Sequence, residues 1–347
     1  MELNEISPLA KLPDELKLMI LSFLEFDDIY NIKQINRFFN VTITKFNKNL
    51  PRKIFQKLHF TNKVFANKKL HLHKVILKQH PKLNDIPLND QVEMLNIDDR
   101  CIPSLLFNTN INILKKLGLM IVLYAVSPKK HCFNIKLPLY PTLIELQIIR
   151  YWFNELFKCI YEIIDFDYFL INKTIIDLIF TNEEIISKKL TCNKAIISLN
   201  NNLEMNAWKY TLNILDISNE LFVRSVNFNE NEENLIFELL FNEGSRIPVF
   251  ILYQLNNSKV RFYNRFQSIL IESKDLSNII NKIIFHCDMW VFNSLTIIGN
   301  EIVENSNISQ RYYKIINIYD PKINFEVIFR LETEEALVKS IEINKMK

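Results

Sequence analysis

The sequence predicts a mixed α+β and α/β protein: a small helical unit first, then an irregular helix–strand domain closed by a C-terminal antiparallel meander. Three observations carry that expectation. Apolar residues recur at helical spacing from Leu16 to Ile43, and helix-like and strand-like stretches alternate after Leu143. Near the C-terminus Ile323, Phe325, Val327, Phe329 and Leu331 occupy every second position, the period of a strand with one buried face. The units are expected at 9–50, 51–142 and 143–347, with the meander at about 311–345.

The first unit reads LPDELKLMILSFLEFDDIYNIKQINRFFNVT from Leu12 to Thr42. Pro13 suits a helix start, because its fixed φ fits the first turn and its missing N–H would be unpaired there. Asp14 and Glu15 favour the positive end of the helix dipole. Leu16, Met19, Ile20, Phe23 and Leu24 follow at helical spacing. Asp27 is expected to cap a second short helix with Ile29, Ile32 and Ile35, and Asn36 a third with Phe38, Phe39 and Ile43. A unit of about forty residues is near the lower limit for independent folding, so its surplus apolar side chains need another surface. That surface is a partner protein or the rest of the chain.

The ordered run Leu-Pro, Glu-Leu, Ile-Leu-Ser-Phe-Leu, Asp-Ile and Ile-Asn-Arg-Phe-Phe resembles the F-box, over about a tenth of the chain. The resemblance implies docking on the Skp-type adaptor of an SCF ubiquitin ligase, and through it on cullin, while the rest of the chain selects a protein substrate for ubiquitination. Carried over position by position, it implies adaptor contacts at Leu12, Pro13, Leu16, Ile20, Leu24, Ile29, Ile35 and Phe39. The family often has Leu where Ile29 stands and Trp where Phe39 stands, which bears on affinity more than on binding mode.

Composition narrows the alternatives. With 48% hydrophobic and 23% charged residues the chain has an ordinary globular balance. The longest apolar run, Leu117 to Val126, is too short to cross a bilayer, and the first residues lack a signal peptide's basic flank and apolar core. A cytoplasmic or nuclear protein with no membrane association is expected. Cys101, Cys132, Cys159, Cys192 and Cys287 are singly spaced, so reduced thiols are expected, and the sequons at Asn40, Asn172, Asn256 and Asn307 are incidental. Only Gly118, Gly244 and Gly299 are glycines, which excludes GxxxxGK, GxGxxG and GxSxG and weakens kinase, dehydrogenase and hydrolase readings. Asn is expected to take left-handed turn positions in their stead. His71, His73 and His80 lack a Cys or carboxylate at ligand spacing, so no metal is expected. Neither a cofactor nor catalysis is expected.

Between Ile29 and Asn84 there are thirteen Lys or Arg and no Asp or Glu, although the whole chain is only +3. The excess of cations admits three readings. It is a solvated helical face with Phe46, Phe55, Phe60 and Phe65 packed inward, a steering surface for an acidic partner, or a track for a nucleic acid backbone. The last is the least favoured, so nucleic acid is not an expected partner.

From residue 51 to 142, Pro81, Pro87, Pro103, Pro128, Pro138 and Pro141 interrupt every pattern, and a connecting region of short helices and turns is expected. After it, Leu143–Ile160, Ile175–Phe180, Met205–Leu215 and Glu232–Phe241 read as helices. Ile163–Phe166, Ala195–Leu199, Phe222–Phe228, Val249–Leu255 and Ile283–His286 read as strands, with Gly244 as a C′ residue and Pro248 opening the strand behind it. Alternation implies crossover connections and a largely parallel sheet. Either an irregular solenoid resembling leucine-rich repeats or a compact α/β layer would satisfy it, and no strict repeat is visible. Tyr312–Tyr319, the bend at Asp320-Pro321, the alternating run after it and Ser340–Asn344 make the meander, which would cover the open sheet edge.

This second part resembles the substrate-side regions of large, divergent F-box families of invertebrate expansions, in its order of elements and in IIRYWFNELFKC and LLFNEGSRIP. His286 and Cys287 are adjacent on a strand and point to opposite faces, so they form no nucleophile–base pair. Two function classes follow: a substrate receptor that feeds a ubiquitin ligase, or a scaffold that holds the adaptor without substrate turnover.

Overall fold

The computed structural model describes residues 12–24, 28–29, 32, 37–46, 50, 52–62, 103–107, 119–125, 132–167, 169–181, 187–199, 205–225, 230–254, 260–291, 300–302, 310–332 and 337–346. Among the described residues there are seven helices and fourteen strands, twelve of the strands in one mixed sheet.

The N-terminal unit contains α1 (Asp14–Ser22) and α2 (Arg37–Phe46), with helical positions at Asp28, Ile29 and Ile32 between them. Pro13 is the N-cap of α1, and Asp14 and Glu15 fill its first turn as the dipole favours. Asp14 also ties the two helices, accepting from Lys17 at 3.2 Å and from Lys45 of α2. These hydrogen bonds, Lys45 first, hold its carboxyl below the usual range. Leu21, Ile29, Ile43 and Leu50 form a small core, with Leu18, Leu24, Ile32, Phe39 and Phe46 packed against it. Asp27, Ile35 and Asn36 lie outside the described residues.

The sheet is built around six strands that follow one another in space as in sequence: β1 (Ile54–Asn62), β5 (Ile160–Asp165), β7 (Leu190–Leu199), β8 (Leu215–Ser225), β9 (Val249–Gln254) and β10 (Lys282–Val291). Each is parallel to its neighbour. Right-handed crossovers that always advance in one direction put their helices on the same face. Those helices are α3 (Leu143–Phe157) and α4 (Lys173–Ile179) between the earlier strands, then α5 (Met205–Ile214), α6 (Glu230–Asn242) and α7 (Val260–Glu272). Their side chains Phe153, Ile176, Trp208, Ile236 and Phe266 share one core cluster with Tyr161, Ala195, Leu221, Phe250 and Phe285 from the strands. Thr142 and Glu145 close a capping box at the start of α3, and Asn172 caps α4 by accepting from the Thr174 N–H at 3.0 Å.

Beyond β10 the sheet continues through β14 (Leu337–Lys345), β13 (Asn324–Glu332), β12 (Gln310–Ile316) and the three-residue β11 (Asn300–Ile302), all antiparallel. The expected meander is present, and β14 covers the edge that β10 would otherwise expose. On the far side β3 (Leu119–Ala125) and β4 (Cys132–Leu137) add antiparallel strands to β1. A separate pair joins β2 (Leu105–Phe107) to β6 (Phe169–Ile171).

Four local expectations need revision. Residues 51–142 contribute four strands, three of them in the main sheet, where a connecting region of helices and turns is expected. In β1 the pairing with β3 shifts between Phe55 and Lys57, and such a bulge breaks the period-two signal. The helix α7 is not among those the sequence predicts. Gly244 follows α6, but close approach explains it: a Cβ there would lie 2.2 Å from the Ile279 carbonyl oxygen, and its N–H donates to the Asn278 carbonyl at 2.7 Å. Among the described residues the non-glycine with positive φ is Asp167 and no Asn takes that role. Asn works through its amide instead: Asn317, 1% exposed, donates to the Leu270 and Ser273 carbonyls and accepts from the Tyr319 and Asp320 N–H groups, all at 2.8–2.9 Å.

Candidate functional site

One face of α1 carries the largest apolar exposure of the N-terminal unit. Its inward residues Leu18 and Leu21 meet the small core, so the turn-by-turn series Leu16, Met19, Ile20 and Phe23 is left outside. Phe23 is 83% exposed, Met19 50%, and Val41 on α2 61%. A bundle whose own core is closed gains nothing internally from these side chains. Fully burying one such side chain against another apolar surface is worth about 2 kcal/mol.

The eight sequence-predicted contact residues divide by position. Pro13, Leu16 and Ile20 are exposed. Leu12 is half-buried, and Leu24 and Phe39 pack against the small core, in which Ile29 is a 5% exposed member. Ile35 lies outside the described residues. Met19, Phe23 and Val41 join the exposed set without having been selected; the i, i+3, i+4, i+7 series from Leu16 held the signal for the first two.

The basic stretch is described only in part, and His71, His73 and His80 lie outside the described residues. Arg52 and Lys57 are structural there. The Arg52 guanidinium donates to the Phe157, Lys158 and Cys159 carbonyls at 2.6, 3.1 and 3.1 Å, covering the negative end of α3, and to Thr191 Oγ1 at 3.1 Å.

The second surface is the sheet face opposite the helices. Ile196 and Ile251 are buried yet stand apart from the main core cluster, which puts them on that face with Phe222 and Ile284, their partners in register. Around them Asp165 and Glu342 are sunk while Arg224, Lys282 and Arg330 stand out. Asp165, with a side chain 5% exposed, meets Lys57 Nζ at 2.7 Å and Arg224 Nη1 at 3.8 Å; Glu342, 10% exposed, meets Lys282 at 2.6 Å and Arg330 at 3.1 Å. Lys194 pairs with Glu220 at 3.0 Å. Lys194 and Arg224 flank the Phe222 ring at 5.2 and 5.8 Å, and Phe222 stacks on Tyr253 with centroids 6.1 Å apart.

Burial opposes the charged form of Asp165, but the Lys57 ammonium and the Asp167 N–H, 2.9 Å from Oδ1, hold its carboxyl below the usual range. Burial and the neighbouring Asp165 charge push the Asp167 carboxyl up. His59 Nε2 lies 4.0 Å from both carboxylates, and its pKa is pushed down to about 4 by burial first and then by Lys57. A histidine with that pKa is neutral near pH 7, and beside it Lys57, Asp165 and Arg224 form an ion-pair network. His286 shares this face with Tyr253, while Cys287 is buried in the core on the other, as adjacent strand residues must be.

A family model for the F-box domain matches residues 9–51, and a model for a domain of unknown function (DUF8381) matches residues 77–226. The second match ends just after β8, although the sheet continues to β14. No curated protein and no solved structure matches the chain. No helix among the described residues is long and apolar enough to cross a membrane. F-box domains bind Skp-type adaptors and belong to SCF ubiquitin ligases, and the N-terminal match coincides with the unit that presents the apolar ridge. The chain carries an F-box domain at residues 9–51.

Proposed function

We propose that this chain is a non-catalytic substrate receptor: the F-box ridge docks on a Skp-type adaptor, and through it on cullin, while the sheet domain recruits a protein for ubiquitination. The exposure of Leu16, Met19, Ile20 and Phe23 above a closed core carries this reading. Pro13, Leu16 and Ile20 make direct contacts, with Leu12 at their margin; Leu24, Ile29 and Phe39 act by holding the ridge in shape, and Ile35 completes the eight. Six parallel strands that advance in sequence order, with the described helices on one side, support a leucine-rich-repeat-like reading of the helix–strand domain. The protein works in the cytoplasm or nucleus, where that ligase acts.

Co-purification of the full chain with a Skp-type adaptor tests the docking. Ile20→Asp places a carboxylate where an apolar contact is required and is expected to abolish it. Retained co-purification by a folded variant would reject the reading. A scaffold without turnover would share the docking, so protein partners that accumulate on proteasome inhibition separate a degradative receptor from a scaffold.

A further inference from the structure

The sheet face opposite the described helices carries one row of side chains that crosses five strands in register: Arg224, Tyr253, His286, Ser340 and Arg330. Arg224 and Arg330 are the ends of that row, with side chains 41% and 50% exposed. Beside the row runs an apolar floor of Phe222, Ile251 and Ile284. Each arginine leans over a sunken carboxylate, Asp165 or Glu342, and uses only part of its five-donor guanidinium on it. A ligand arriving from solvent therefore meets two exposed cationic heads beside the half-buried Phe222 and Ile284, with Ile251 buried between them. Adjacent strands lie about 4.8 Å apart, so four steps separate the arginines by about 19 Å, the length of about six residues of extended chain.

We infer that this row binds an extended acidic protein segment laid across the strands, with two Asp or Glu residues five or six positions apart and an apolar residue between them. Each acidic side chain pairs with one arginine, and the apolar side chain rests on Phe222 and Ile284. A nucleic acid backbone fits less well, because it needs an unbroken cationic track and Glu220 and Glu342 interrupt this one. The inference rests on the receptor reading above, since it names the chemistry that the receptor would select.

The test is selection of a random twelve-residue peptide display library on the immobilised full chain co-expressed with its adaptor, using wild type, Arg224→Gln, Arg330→Gln and Arg330→Lys. Wild type is expected to enrich peptides with two acidic residues five or six positions apart flanking an apolar one. Each Gln variant is expected to lose that spacing and bind the wild-type peptides at least fivefold more weakly, with Arg330→Lys in between. Enrichment without the acidic pair, indifference to both Gln variants, no enrichment, or equal competition by single-stranded oligonucleotide would overturn the inference. Adaptor co-purification should be the same in all four chains. Peptide selection that survives while Ile20→Asp leaves adaptor binding intact would sink the docking reading and leave this one standing.

Discussion

The two folded regions dispose of their apolar side chains in opposite ways. Among the described residues the N-terminal unit buries four in a small core and leaves Met19, Phe23 and Val41 outside, whereas the sheet domain gathers apolar side chains from Phe55 to Ile343 into one cluster and shows charge on the face opposite its helices. Burial drives both, but only the second region is long enough to satisfy it internally. The difference teaches where each surface gets its specificity. On the proposed reading, the ridge relies on apolar contact and the sheet face on the arginines beside Asp165 and Glu342.

The strongest way to break the contrast is to make the ridge polar. Phe23→Asp should weaken adaptor binding at least about a hundredfold, roughly 3 kcal/mol, with an unchanged thermal midpoint, because Phe23 contributes nothing to the core beneath it. Titration calorimetry and a thermal melt on the full chain check both halves. Next comes a change confined to the sheet domain. Gly244→Ala should destabilise it by about 3 kcal/mol, since the added Cβ overlaps the Ile279 carbonyl and both backbones must move. Adaptor binding by the surviving folded fraction should be normal. Arg52→Met should cost about 2 kcal/mol in urea unfolding, as three carbonyls at the end of α3 lose their donor while the aliphatic stem is kept.

An expected effect of similar size depends on pH. His59 has a folded pKa of about 4 against an ordinary 6.5, so below 6.5 the unfolded chain takes a proton that the folded chain refuses. The stability linked to this group is complete above that ordinary value and is lost as the pH falls towards the folded one. Between pH 7.5 and 5 the loss should be about 2 kcal/mol, and His59→Gln should remove that component. An unchanged slope of urea midpoint against pH in the variant would contradict the assignment.

The legibility of these regions in the sequence follows from the range of their contacts. Local periodicity gave α1, α3, α4, α5, α6 and the meander, whose hairpins bring neighbouring residues together. β1 was hidden because its partners lie elsewhere: it pairs with β3 and with β5 about a hundred residues on, and a bulge at Phe55/Lys57 scrambles its alternation. In α7 the buried Phe262, Phe266 and Leu270 mark the helical face, but Arg261, Arg265 and Glu272 dilute the pattern. The ridge was legible as an ordered motif, while which of its residues face inward depended on how α1 and α2 pack on the small core. The charged row across the sheet was invisible in the sequence, because Arg224 and Arg330 meet one face only through four strand pairings.

Hydrogen–deuterium exchange on the full chain, with and without a purified Skp-type adaptor, tests the central claim most directly. Docking through the ridge predicts adaptor-dependent protection concentrated in residues 12–24 and 37–46, with β7 to β13 unchanged. Protection on the sheet face, or none at saturating adaptor, would contradict it.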